Sequence, residues 1–214
     1  MNQRNVKIII FDMDGVILDS EPLHEIARQT MFRNFGIVPD ESFPSPVGNS
    51  SSGFWRQIIA ICGIKGDPYD LEAQQYHLVA RQIEENHIPP SDGLREVLDW
   101  AKTHDIKVGL ASSSTRVLVD DALRILGIQG YFDYTVSGDE IPKKKPEPDV
   151  YLRVLEMAGI PAEQAVAVED SRTGVEAANR AGIFCYGYQN PTSGEQDLTH
   201  AGKKIVNLRE IICE

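Results

Sequence analysis

The run Val6-Lys7-Ile8-Ile9-Ile10-Phe11-Asp12-Met13-Asp14-Gly15 constrains this chain more than any other stretch. Six residues of strand character, rich in β-branched side chains and apolar on both faces, end in two carboxylates and a glycine. Such a strand belongs in a sheet covered on both sides, and hence in a parallel one. Acids at its end stand at the carboxyl edge of the sheet, where open α/β folds bind ligands. Alternation along an extended chain lets Asp12 and Asp14 point into one pocket. Close carboxylates repel each other unless a cation or a shared proton intervenes, and a hard ion such as Mg²⁺ suits them. A strand that simply ends in a solvated Asp-Gly turn is the plainer alternative, and the rest of the chain decides between the two.

After this strand the pattern turns helical. Leu23, Ala27, Met31 and Phe35 share one helical face that stops at Gly36. Phe54, Ile58, Ile59 and Cys62 make a second stripe, and Tyr76, Val79, Ala80 and Ile83 a third. A Pro-, Ser- and Gly-rich loop, residues 39–52, separates the first two. From Pro89-Pro90 onward, strands at 106–111, 134–136, 165–168 and 184–186 alternate with helices, one of them spanning 147–159. That rhythm means βαβ units and a parallel sheet. The expected fold is α/β, a Rossmann-like parallel sheet core (residues 1–18 and 89–214) with an inserted α-helical cap domain (residues 19–88).

Each strand end carries a chemical group. Ser112-Ser113-Ser114-Thr115 follows the second strand and opens a helix, as an anion site does and as an ordinary serine cap also does. Lys143-Lys144-Lys145-Pro146 follows the third; Lys145 is the best placed to turn inward, because the proline fixes the chain after it. Glu169 and Asp170 end the fourth, either as first-turn acids of a helix or as oxygen ligands for a divalent cation. Acids, hydroxyls, a lysine and more acids along one edge describe metal-assisted phosphoryl transfer.

A net charge of −11 on 214 residues argues against a nucleic-acid partner. No apolar run reaches the length of a membrane span, so no membrane partner is expected. Residues 1–5 lead directly into the first strand without a signal-peptide pattern. Cys62, Cys185 and Cys213 are odd in number and far apart, which suits thiols in a reducing cytoplasm. Oligomeric state leaves no trace in the sequence, and a monomer would suffice.

Asp12-Met13-Asp14-Gly15-Val16, Ser112, Lys145-Pro146 and Glu169-Asp170-Ser171 with Gly174 resemble, in order, the four motifs of the haloacid-dehalogenase-like hydrolases. The pieces Asp19-Ser20-Glu21-Pro22-Leu23-His24 and Val168–Ser171 look like the branch that holds β-phosphoglucomutase and small-metabolite phosphatases. The resemblance implies that Asp12 attacks phosphorus and that Asp14 serves as acid and then base. It implies Mg²⁺ held by Asp12, Asp170 and the Asp14 backbone carbonyl, with Glu169 bound directly or one contact removed. Ser112 and the Ser113 N–H would hold phosphate, and Lys145 would balance charge.

The activity so implied is hydrolysis of a small phosphorylated substrate, a sugar or polyol monophosphate. One rival is a phosphosugar mutase, which needs a basic cap residue. The stretch at 47–52, Ser51 included, has none at the matching place, although Arg56 stands a turn further on. His24 is either a hinge histidine that orients the acid or a partly exposed histidine on the first cap helix. A second rival is a non-catalytic phospho-acceptor or metabolite-binding protein.

Overall fold

The computed structural model describes residues 6–46 and 51–213. The chain divides into two compact units, one running from the N-terminus to Glu21 and resuming at Ile88, the other Pro22–His87.

The first unit is built on a parallel six-stranded sheet. Its strands are β1 (Ile8–Phe11), β2 (Lys107–Ala111), β3 (Tyr134–Val136), β4 (Ala165–Glu169), β5 (Phe184–Tyr188) and β6 (Lys203–Ile205), in the order β3-β2-β1-β4-β5-β6. The apolar opening strand lies between two neighbours, with Ile10 level with Gly109 on one side and Ala167 on the other. All four of its residues are buried, as a strand covered on both faces requires. Gly109 admits the helix above it: a Cβ there would lie 2.8 Å from Val154 Cγ1. The expected strands begin and end within two residues of those found, and β6 is an addition. Lys203-Lys204-Ile205 is short and charged, as suits the edge of a sheet.

The helices of this unit are α4 (Leu94–Thr103), α5 (Arg116–Ile125), α6 (Asp149–Ala158) and α7 (Arg172–Arg180). The helix expected over 147–159 starts at Asp149, after Pro148, and stops at Gly159, whose φ of 63° ends the turn.

The second unit holds α1 (Glu21–Phe35), α2 (Ser51–Cys62) and α3 (Pro68–Glu85) around Met31, Phe32, Phe54, Trp55, Ile58 and Leu71. The stripe read on α1 is corrected at its end. Phe35 is 37% exposed in the last turn, whereas Phe32 packs against Phe43 and Trp55 with ring centroids 5.6 Å away in each case. The core of this unit ends one turn before the helix does.

Candidate active site

Because β1, β2 and β4 are parallel and level, their carboxyl ends bring three chain segments together. Asp12 follows β1, and its N–H donates to Val168 O at 3.0 Å. Ser112 follows β2, and Glu169 closes β4. Lys145 arrives from the β3–α6 connection with its side chain 6% exposed. Its ammonium donates to Asp12 Oδ1 at 2.5 Å, Glu169 Oε1 at 2.5 Å and Ala111 O at 2.8 Å. An ammonium has three N–H donors, and each has an acceptor here.

Asp12, Glu169 and Asp170 are all buried, and each offers a carboxylate oxygen within 4.8 Å of the others. Burial, and then the charges of Glu169, Asp170 and Asp14, push the Asp12 carboxyl well above the usual range, although Lys145 pulls it down. Burial and the charge of Glu169 push Asp170 up to about 7, against the hydrogen bond from Ser193 and the charge of Lys145. Burial works against the Lys145 ammonium, but Asp12 and Glu169 outweigh it and hold its pKa above the ordinary value. One lysine is too little positive charge for this cluster. Three oxygen donors with an unmet demand for a cation fit a hard divalent metal.

Two glycines let the acids pack. Gly15 has φ +79°, and a Cβ there would lie 2.6 Å from Asp170 Cγ and 2.9 Å from Ser193 Oγ. Gly174, near the start of α7, lies directly against the Glu169 carboxylate, where a Cβ would overlap it. Glu169 is 0% exposed and also accepts from Tyr151 Oη at 2.5 Å and Ser171 Oγ at 3.3 Å. Ser193, from the loop after β5, donates to Asp170 Oδ2.

Asp14 reaches this neighbourhood by a route other than strand alternation. The strand stops at Phe11, and a turn follows in which Ile17 N donates to Met13 O at 3.0 Å and Gly15 N to Leu18 O at 2.8 Å. Both Asp14 oxygens are engaged: Ser20 Oγ donates to Oδ1 and Ser114 Oγ to Oδ2, each at 2.7 Å. Ser112 is fully buried and its Oγ accepts from Ser114 N at 3.0 Å. Ser113 is half-buried, with Gly138 packed against its carbonyl.

The remaining sequence candidates lie in the helical unit. His24 is 7% exposed, so the reading of it as partly exposed is corrected. Its Nδ1 lies 2.9 Å from Gln75 Nε2, and its ring meets Tyr76 edge-on at 5.9 Å. The chemistry of that chain settles the ring's tautomer. Trp55 Nε1–H is a donor only and reaches Gln75 Oε1 at 2.7 Å, so the Gln75 amide donates to His24 Nδ1. Ser51 is half-buried and accepts from Tyr76 Oη at 3.4 Å. Arg56 is exposed on α2. The uncharged stretch read at 47–52 falls largely on residues 47–50, which lie outside the described residues.

Sequence reasoning missed Tyr151, Ser114 and Ser193 as contributors. Tyr151 sits on the apolar stripe of α6 and looks like core, and nothing in the β5 loop singles out Ser193. Ser114 was legible only as a member of the hydroxyl cluster.

A sequence model of the haloacid dehalogenase-like hydrolases matches residues 9–188. A phosphorylated carbohydrates phosphatase of Thermotoga maritima is 32% identical over 220 residues, with 97% of each chain covered. A phosphoglycolate phosphatase of Pseudomonas savastanoi pv. phaseolicola is 32% identical over 195 residues, covering 86% of this chain and 71% of that protein. Among solved structures, CbbY from Rhodobacter sphaeroides in complex with phosphate superposes with a TM-score of 0.83 at 24% identity, over 96% of both chains, a likeness of fold. These relatives set aside the reading of a non-catalytic binding module. The chain belongs to the haloacid dehalogenase-like hydrolases and is a phosphoric monoester hydrolase.

Proposed function

We propose that the protein hydrolyses the phosphomonoester of a small phosphorylated metabolite, a sugar or polyol monophosphate, through an aspartyl-phosphate on Asp12 and with Mg²⁺. The observation that carries this reading is the crowding of Asp12, Glu169 and Asp170 around one buried lysine at the sheet edge. The name of the Thermotoga maritima relative supports a phosphorylated carbohydrate as substrate.

Asp12 and Asp170 would hold the metal with the Asp14 carbonyl, and Glu169 completes the acidic set. When bound, Mg²⁺ supplies the positive charge that the carboxylates lack and that the transferring phosphoryl oxygens need. Ser112 and the Ser113 N–H would hold phosphate oxygens, with Lys145 beside them. An Asp12 oxygen attacks phosphorus as the bond to the leaving oxygen breaks, and Asp14 gives that oxygen its proton. Water then attacks the aspartyl-phosphate, Asp14 takes up its proton, and Asp12 is released. A protonated carboxyl keeps acceptor capacity beside its one O–H donor, so Asp14 can carry the proton while still accepting from Ser20 and Ser114.

Substrate choice is assigned to the helical unit Pro22–His87 as a cap, on the family resemblance, with His24, Ser51 and Arg56 the residues to vary. The free thiols of Cys62, Cys185 and Cys213 fit a cytoplasmic location.

The test is a screen of phosphorylated sugars, polyols and short acids with and without Mg²⁺, on the wild type and on Asp12→Asn. The variant keeps the shape and loses the nucleophile, so phosphate release falls to background while the fold survives. A folded Asp12→Asn protein with substantial Mg²⁺-dependent turnover refutes the assignment.

A further inference from the structure

Tyr151 is 0% exposed on α6, a helix that packs against β2 and β3, and it belongs to the core that also holds Val150, Val154 and Leu155. A phenylalanine would fill the same space, and burying a hydroxyl costs free energy unless it finds a partner. The hydroxyl reaches Glu169 Oε1 at 2.5 Å, the same oxygen that receives Lys145 Nζ at 2.5 Å. The Tyr151 ring lies under that ammonium, 5.3 Å from Nζ to the centroid. One side chain therefore touches both members of the pair that borders Asp12.

We infer that Tyr151 is a positioning residue for the reaction, whose hydroxyl takes a share of Glu169 Oε1 so that Lys145 stays divided between Glu169 and Asp12. Lys145 Nζ is 2.5 Å from an oxygen of each carboxylate, so its place depends on the balance of two pulls. A second donor on Glu169 Oε1 weakens the pull from that side. Gly174 packs directly against the Glu169 carboxylate, which leaves that group little room to shift. Without the hydroxyl, Glu169 draws the ammonium toward itself, and Asp12 faces an incoming phosphate with its charge less compensated. The inference rests on the proposed role of Asp12 as nucleophile, and Tyr151 itself touches no reacting atom.

Tyr151→Phe, which keeps the ring and the packing, is the test. Crystal structures of wild type and variant read the Lys145 Nζ to Asp12 Oδ1 distance, and steady-state kinetics at saturating Mg²⁺ read kcat and KM. The distance should lengthen past ~3.2 Å, the limit of an ordinary hydrogen bond. The kcat should fall about tenfold with KM unchanged, the rate equivalent of one hydrogen bond to a charged group. In a Glu169→Gln background the same substitution should have no further effect on kcat, because Tyr151 acts through Glu169. An unmoved lysine, a kcat within about twofold of wild type, or a change confined to KM overturns the inference. A wild type that releases no phosphate with Mg²⁺ refutes the proposed reaction instead, and the crystallographic distance then decides by itself whether Tyr151 positions Lys145.

Discussion

Replacing Gly174 by alanine sets two opposite effects against each other at one atom. Gly174 lies in the first turn of α7, where its N–H donates to Ser171 Oγ at 3.1 Å. In a helix, alanine is favoured over glycine by about 1 kcal/mol, so propensity alone makes the variant more stable. The new Cβ, however, would overlap the Glu169 carboxylate, whose three atoms are its nearest neighbours. That carboxylate is 0% exposed and tied at 2.5 Å to both Lys145 and Tyr151. It cannot move without breaking those bonds, and uncoupling one member of a buried ion pair costs about 3–5 kcal/mol. The loss wins, leaving a net destabilisation of roughly 2–4 kcal/mol. For a chain of this size that lowers the melting midpoint by roughly 5–15 °C. Phosphate release should fall about a hundredfold or more, because a displaced Glu169 carboxylate disrupts the charged cluster around Asp12. Gly130→Ala is the control: a Cβ there meets nothing within 4 Å, so midpoint and rate should stay near wild type. Thermal unfolding by circular dichroism and Mg²⁺-dependent phosphate release measure both effects. A Gly174→Ala protein that melts at or above the wild-type midpoint and keeps its activity would show that the packing argument is wrong.

Three further outcomes follow from the same site. Chelation should abolish phosphate release and added Mg²⁺ restore it, whereas Ca²⁺ should inhibit because its looser, higher coordination spoils in-line geometry; full activity in excess chelator, with no metal found by elemental analysis, would contradict the cluster's role. Asp14→Ala should be slow on alkyl phosphates yet accumulate aspartyl-phosphate from a substrate with a good leaving group, and wild-type rates on an alkyl phosphate would rule out the acid role. Given β-glucose 1-phosphate, Mg²⁺ and a trace of the bisphosphate, the enzyme should release mainly inorganic phosphate; glucose 6-phosphate forming much faster would make it a mutase and Arg56 the next residue to vary.

The parts of the structure that were legible in the sequence are those set by short-range pattern. The apolar run ending at Phe11 identifies a doubly covered strand, and the groups at the strand ends identify Asp12, Ser112, Lys145, Glu169 and Asp170 as neighbours. What stayed hidden depends on register and on partners far along the chain. Lys203–Ile205 becomes a strand only because Tyr186–Tyr188 offers it an edge. The role of Tyr151 comes from Glu169 and that of Ser193 from Asp170, neither of which any local pattern announces. Alternation was the wrong warrant for Asp14, since a turn rather than a strand delivers it. Phe35 follows the apolar period but outruns the side chains it would pack on.

The position of β1 has a consequence for how the molecule comes into being on the ribosome. Ile8 pairs with Lys107 and with Ala165, so the strand leading to the proposed nucleophile is made before either neighbour and finds the second only after residue 165 has emerged. The residues Pro22–His87 between them can condense early through contacts near in sequence, which shortens the span that must close before β1 meets β2. Until β4 is synthesised, Asp12 lacks both Glu169 and Asp170. A nascent or truncated chain that stops short of β4 therefore carries the proposed nucleophile without two of the acids proposed to bring a cation to it.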